Sequence, residues 1–337
     1  MREKRIQLGT LVASTQRIYL DLRFWIMLRD VVLGRSCDTS VSELLTILKD
    51  SVSQGKAICP ISESVFIELL KQGNDSTRLA TAQLIDELSL SVTLIPFDAR
   101  VCQELCNSFY MLAGATDLIP TEKLVWTKLT YVLGEMHPSN TPFSSEDELA
   151  IQKAFSDHMW TTPLAEMVER MGKPASDLNW DPLAADLNEK NHANQSTIPS
   201  YAKAFQIEFE GGLSLFRDEM LALIEEVSQR GYADFGAKLA HLSQKKRFEA
   251  FAQSIPTLHI YAACHAAVRW DQKRNLTGND LFDFHHAQAA VGYCDVFLTE
   301  RSLSTLLSQK HLGLSKYQCQ TFWSPSAAVN WLREMGG

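Results

Sequence analysis

Four carboxylates, Asp280, Asp283, Asp295 and Glu300, lie within "NDLFDFHHAQAAVGYCDVFLTE" (279–300), among apolar side chains that read as half-buried. Burying a carboxylate is costly unless it is paired, hydrogen-bonded or bound to a metal ion. The stretch reads as a helix, a tight turn and a core strand, so the acids mark the ends of elements rather than a solvated face. Two more acids stand in comparable places. Asp21 closes the apolar run "RIYLD", and Glu68 lies in "ISESVFIELL" on a helix after a second apolar run. In an open parallel sheet, functional groups gather beyond the carboxyl ends of the strands. Asp21, Glu68, Asp283 and Glu300 are therefore expected to converge on one edge of one sheet. A carboxylate cluster without matching arginines suits a hard divalent cation, bound through oxygen. Such an ion polarises a phosphodiester and lowers the pKa of an attacking water.

The elements that must position these acids alternate. A strand at 17–21 runs into a helix, and "SVSELLTILKDSVSQG" is a helix stopped at Gly55. "KAICPIS" and "SVTLIPF" read as strands, with the helices "SESVFIELLKQGN" and "DSTRLATAQLIDELS" between them. After residue 100 helical spacing dominates, in "TEKLVWTKLTYVLGEM", "EDELAIQKAFSDHMW", "PLAEMVERMG" and "LSLFRDEMLALIEEVSQRG". The polar stretch 173–200 reads as an exposed loop. The helix "IPTLHIYAACHAAVRWDQKRN" precedes a return to alternation: strand "DVFLT", helix "RSLSTLLSQK", strand "YQCQTFW" and a helix opened by "SP". The expected fold class is α/β, a parallel sheet flanked by helices. Its core spans 1–97 and 279–337, interrupted by a large helical insertion at 98–278.

Each acid also has a plainer reading. Asp283 could cap a helix beginning at Phe284, a job Asp280 could share. Glu68 could face solvent, with Glu63 taking its place at the site. Asp295 could be a turn residue, and Glu300 could pair with Arg301. His285 and His286, adjacent on a helix, point to different sides and cannot easily ligate one ion. One is expected to pack in the core with a satisfied nitrogen and the other to lie near the acids. His265 reads as packed in a helix bundle.

The chain has 337 residues, 45% hydrophobic and 21% charged, which allows one large globular domain or a domain with an insertion. A formal charge of −8 repels polyanions unless a local basic patch or bound cations intervene. Lys245, Lys246 and Arg247, with Arg269, Lys273 and Arg274, read as solvated helix faces and as the candidate phosphate-backbone contacts. Trp25, Trp126 and Trp270 could stack bases, although tryptophan is more often a core residue. Seven scattered cysteines without a CxxC pair read as free thiols in a reducing compartment. Neither a signal-peptide pattern nor a run of about 18 apolar residues is present, so a cytoplasmic protein outside the membrane is expected.

Taken in order, the motifs resemble the PIN-like nucleases, a family of metal-dependent ribonucleases. They are "IYLD" with Asp21, and "ISESVFIELL" with Ser62, Val65, Glu68 and Leu69. "DFHHAQAA" follows from Asp283, then "DVFLTE", and finally a strand followed by "SP". The resemblance covers 17 to about 97 and 279 to 336. The last acid departs from the family's frequent aspartate, being Glu300, and Asp280 and Asp295 leave the third and fourth ligands open. The resemblance implies Mg²⁺ or Mn²⁺ held by Asp21, Glu68 and Asp283 with Asp295 or Glu300, and Asp21, Glu68, Asp283 and Glu300 as the catalytic set. It implies endonucleolytic cleavage of RNA, single-stranded for preference, in a toxin-antitoxin or defence setting, with a protein inhibitor or self-association as further partners. The alternative is a non-catalytic PIN-like scaffold whose insertion is an interaction surface.

Overall fold

The computed structural model describes residues 1–171, 179–232, 234–271 and 274–336. Short apolar segments form its strands: β1 (Gln16–Leu20), β2 (Ala57–Ile58), β3 (Val92–Leu94), β4 (Trp126–Lys128), β5 (Val296–Leu298) and β6 (Gln320–Phe322). Four of them make a parallel sheet in the order β2-β1-β5-β6. A parallel bridge between Ile61 and Thr93 brings β3 alongside the chain that follows β2. β3 in turn pairs antiparallel with β4. The α/β class with a parallel sheet holds, although most of the chain is helical.

Helices supply the crossovers a parallel sheet requires. α1 (Arg2–Ala13) precedes β1, and α2 (Leu22–Val32) and α3 (Thr39–Ser53) join β1 to β2. α4 (Glu63–Leu70) and α5 (Asp75–Ser89) lead to β3, and α6 (Phe97–Ala113) leaves it. After β4 come α7 (Ser145–Thr161), α8 (Leu164–Met171), α9 (Asp181–Ala193), α10 (Tyr201–Ser214) and α11 (Arg217–Gln229). α12 (Phe235–Ala240), α13 (Lys245–Gln253) and α14 (Pro256–Asp271) follow. Then α15 (Gly278–Tyr293) enters β5, α16 (Arg301–Leu307) joins β5 to β6, and α17 (Pro325–Gly336) ends the chain. Among the described residues no helix is long and apolar enough to cross a membrane.

Two expectations fail for identifiable reasons. "TEKLVWTKLTYVLGEM" is not a helix; it holds β4 between two 3₁₀ turns. Its apolar residues satisfy helical spacing, but pairing of Trp126 with Leu94 and Lys128 with Val92 prevails, as suits β-branched and aromatic side chains. The polar stretch 173–200 is not simply a loop, because it contains α9, with proline in its first turn. Trp180, just before α9, stacks on Phe282 of α15 with centroids 4.2 Å apart.

Packing does not follow the limits of the helical segment 98–278. The main core gathers Tyr19, Trp25, Phe66, Phe284 and Phe297, but also Trp126, Leu164, Ala184 and Ile260. A second cluster, including Phe109, Phe209, Phe216, Phe235 and Ile255, fills the space among α6 and α10 to α14.

α1 lies so close to the turn at 121–123 that a side chain at Gly9 would meet the Lys123 carbonyl backbone. Backbone cannot step aside as a flexible side chain can. Gly9→Ala is therefore expected to lower unfolding free energy by about 1–3 kcal/mol despite alanine's better helix propensity. Urea titration checks this, and unchanged or increased stability contradicts it.

Candidate functional site

Strand order reverses between β1 and β5. The chain leaves β1 for β2 on one side, and β5 lies on the other. Crossovers that depart in opposite directions leave a crevice beyond the carboxyl ends of these two strands. The register Leu20↔Leu298 sets the next residues, Asp21 and Thr299, at that crevice. The Asp21 N–H donates to the Leu298 carbonyl at 3.0 Å, so the strand ladder runs up to the acid itself.

Asp21 is 5% exposed and caps α2, its Oδ1 accepting from the Phe24 N–H at 3.2 Å. Burial pushes its pKa up to about 6, against the opposing pull of His286, the Phe24 N–H and Thr299. Asp283 lies in the second turn of α15 and is half-buried. Burial raises it to about 7; the fields of Glu300, Asp21 and Asp280 add to the rise, and His286 opposes it. Asp283 is not a helix cap. Thr277 caps α15, and Asp280 returns the bond in a capping box. Asp280 also pairs with Arg274, which removes both from the crevice chemistry.

His286 links the acids. Its Nε2 lies 2.8 Å from Glu68 Oε2 and its Nδ1 lies 2.9 Å from the Tyr19 hydroxyl. Tyr19 is in turn 2.6 Å from Ser62 Oγ. Burial opposes protonation of His286, but the bond to Glu68 and the fields of Glu68, Asp21 and Asp283 raise its pKa overall. In the imidazolium form both nitrogens donate, one to Glu68 and one to Tyr19, and Tyr19 then donates to Ser62. One histidine thus unites two expectations, core packing with satisfied nitrogens and closeness to the acids. His285 sits apart among Phe97, Trp180 and Tyr261. Burial pushes it down to about 3, which keeps it neutral. His265 is buried on α14 against Tyr261 and Phe284.

The structure thus brings Asp21, Glu68 and Asp283 into one electrostatic neighbourhood around His286, with the field of Glu300 reaching Asp283. Glu300 is exposed at the start of α16. Glu63 is not the alternative to Glu68, because both its oxygens accept from the Phe97 N–H, at 3.0 and 2.9 Å. Asp295 does not belong to the set either. It precedes β5, opposite Arg17, four residues and so about 13 Å along the strand from the crevice. There it accepts from Arg17 backbone N–H at 2.8 Å and from the guanidinium at 3.0 and 2.7 Å. Sequence spacing could not separate the two ends of so short a strand.

The basic residues expected to hold a backbone stand elsewhere. Lys246 and Arg247 are exposed on α13, which packs on α14 and the second core, and Arg269 pairs with Glu208. Lys273 lies outside the described residues, as does the side chain of Lys245. Trp25 and Trp126 are fully buried core residues, and Trp270 is half-exposed beside Tyr201 and His311. Sequence reasoning missed Tyr19, whose place two residues before Asp21 on an apolar strand was the available signal. It also missed Thr299, a buried hydroxyl beside the Asp21 carboxylate.

Comparison with protein-family models, with curated proteins and with solved structures finds no match in any of the three. What the crevice can do rests on its own residues. Among the described residues, no three His, Cys, Asp or Glu side chains converge as ligands of one ion. A magnesium site needs fewer, because that ion keeps several waters and is commonly held by one or two carboxylates. Asp21 and Asp283 fit this pattern: hard oxygen donors, largely desolvated, with no Lys or Arg ion pair among the described residues. Glu68 is engaged by His286.

The raised pKa of Asp283 has a stability consequence. Its carboxyl titrates near 3.8 when unfolded and about 7 when folded, so the folded protein holds the proton more tightly. The associated stability is fully present below pH 3.8 and is lost as pH rises through 7. Asp283→Asn cannot ionise. Its stability relative to wild type should rise from near parity at about pH 4 to a gain on the order of 2–4 kcal/mol at about pH 8. Denaturant titrations at several pH values read this difference. A gap that does not grow with pH contradicts the burial and repulsion described above.

Proposed function

We propose that this chain is a divalent-metal-dependent phosphodiester hydrolase acting on RNA, with a PIN-like core. The reading is carried by one observation: two desolvated carboxylates, Asp21 and Asp283, face a topological crevice and form no Lys or Arg ion pair among the described residues. Structural carboxylates this deeply placed are ordinarily paired. The parallel order β2-β1-β5-β6 with its acid-bearing carboxyl edge supports the PIN-like reading.

Asp21 and Asp283 would hold Mg²⁺ or Mn²⁺, with Glu300 at the rim. Such an ion would supply Lewis-acid chemistry there, polarising a phosphodiester and lowering the pKa of an attacking water. The chain's own residues have separate tasks. The α2 cap and the ladder bond to Leu298 fix Asp21 in place. Glu68 and Tyr19 clamp the imidazole of His286 from both sides, and the bond to Glu68 favours its protonated form beside the two aspartates. Burial excludes water from Asp21, so charge placed there is poorly screened. The exposed rim at Glu300 leaves the crevice open to a chain-like substrate.

A non-catalytic scaffold is the second reading. It is favoured by the lack of three convergent ligands among the described residues and by the engagement of Glu68 with His286. A protein inhibitor or a second copy of the chain would then be the partner.

Calorimetric titration with Mn²⁺, beside a fluorogenic single-stranded RNA assay, separates the two. Wild type should bind the ion and cleave. Asp21→Asn keeps a capping oxygen for α2, so it should fold while losing ion affinity and cleavage by roughly a hundredfold or more. Absence of Mn²⁺ binding to wild type at millimolar concentration supports the scaffold. Cleavage retained by Asp21→Asn overturns the assignment.

A further inference from the structure

The carboxyl edge of the sheet carries a large aromatic side chain in the open. Trp323 follows β6 and is 46% exposed. The register that sets Asp21 opposite Thr299 also sets Thr299 opposite Trp323, because Leu298 pairs with Phe322. The Thr299 N–H donates to the Phe322 carbonyl at 2.9 Å, continuing the ladder to that point. With strands about 4.8 Å apart, Trp323 stands about 10 Å from Asp21 along the same edge. Its neighbour Phe322 packs against Trp331, so the apolar demand of this strand end is met without Trp323.

Arg301 follows Glu300 and places its guanidinium 5.0 Å from the Trp323 ring centroid. It is exposed and forms no ion pair among the described residues. A guanidinium stacked on an indole keeps its charge and most of its donors, because the face is used and the edge is free. On a chain of net charge −8, an unpaired cation beside an exposed indole is a local exception to the repulsive field.

We propose that Arg301 and Trp323 form a subsite for single-stranded nucleic acid. Trp323 stacks an unpaired base, and Arg301 holds the adjoining phosphate as the strand runs toward Asp21 and Asp283. The inference rests on the phosphodiester reading and adds to it the form of the substrate and the side on which it enters. An aromatic platform reads any base with an open face, so it selects single strands without selecting sequence. A duplex hides those faces. Arg301 also offsets Glu300, whose charge would otherwise repel the incoming backbone.

The test uses the full chain carrying Asp21→Asn, which holds RNA without cutting it, in magnesium buffer. Binding of a fluorescein-labelled single-stranded RNA 12-mer is followed by anisotropy. Adding Trp323→Ala should weaken binding about tenfold to a hundredfold, and Trp323→Phe should restore most of the loss. Arg301→Ala should weaken binding and lower the slope of log affinity against log salt by about one. A duplex of the same sequence should bind at least tenfold less tightly. Unchanged affinity in Trp323→Ala, equal binding of the duplex, or preference for an acidic peptide over RNA overturns the inference. Cleavage by wild type is read separately. If wild type cleaves while Trp323→Ala binds normally, the subsite falls and the hydrolase stands. If Trp323-dependent binding occurs but wild type never cleaves, the subsite stands and the hydrolase falls.

Discussion

The parallel pairing of β1 with β5 is the constraint on which the acidic edge depends. Only three residue pairs define it, from Ile18↔Val296 to Leu20↔Leu298, but they bring together segments almost the whole chain apart in sequence. Side chains alternate along a strand, so a slip of one residue would turn Tyr19 from His286 and move Asp21 off the crevice. The consequences spread from that register. Asp21 must leave the sheet as the cap of α2, and the helix entering β5 must bring Asp283 and His286 over the same edge. Asp295, at the amino end of β5, is left to pair with Arg17.

What the register assembles is electrostatically unfavourable, and the surrounding structure has to hold it. Two carboxylates are raised by burial and by each other's field, and one buried histidine answers them. The positive end of α2 helps, because a capping acid at a helix N-terminus meets unsatisfied N–H groups and the favourable end of the macrodipole. Once the imidazole is protonated the donations run outward from His286, to Glu68 on one side and through Tyr19 to Ser62 on the other, and neither ring nitrogen is left free. Such an arrangement works against stability and supports binding of positive charge, the usual conflict between a functional site and its fold.

Much of this was legible from local pattern, and the failures share a cause. The five strands that resemble short, β-branched runs bounded by turn residues were readable, as was the helix stopped at Gly55. The places of Asp21 and Glu300 at the carboxyl edge were readable from the apolar strands they follow, although Asp21 also caps α2. β4 was not, because Leu124, Val125, Trp126 and Leu129 fit a helical period as well as a strand, and only the distant β3 decides. Capping stayed open as the plainer reading of Asp283 because the true cap, Thr277, lies upstream of the polar "ND". His286 could be assigned to the core or to the acids but not to both, since sequence spacing carries no information on what Tyr19 and Glu68 reach. Trp323 was hidden by the general rule that tryptophan is buried.

The helical segment between β4 and α15 is best understood through α15, the helix that carries both Asp283 and His286. Repulsion between Asp21 and Asp283 would relax if α15 moved by a fraction of a turn, so the helix must be fixed along its length. At its start, Arg274 pairs with Asp280 and the Gly278 N–H donates to Asp181 at 3.0 Å. One turn on, Trp180 stacks against Phe282. In its middle, the fully buried Arg100 donates to Gln288, and near its end the Tyr293 hydroxyl donates to the equally buried Glu104. Thr257 of α14 joins that network, accepting from Arg100 at 3.0 Å. Every one of these partners of α15 outside its own first turn and the preceding loop comes from α6, α14 or the start of α9. Residues 98–278 are therefore a brace as well as an insertion: without them α15 would keep its bonds to Tyr19 and Glu68 through His286 but lose the partners that fix its start, its middle and its end against the repulsion of its own charges.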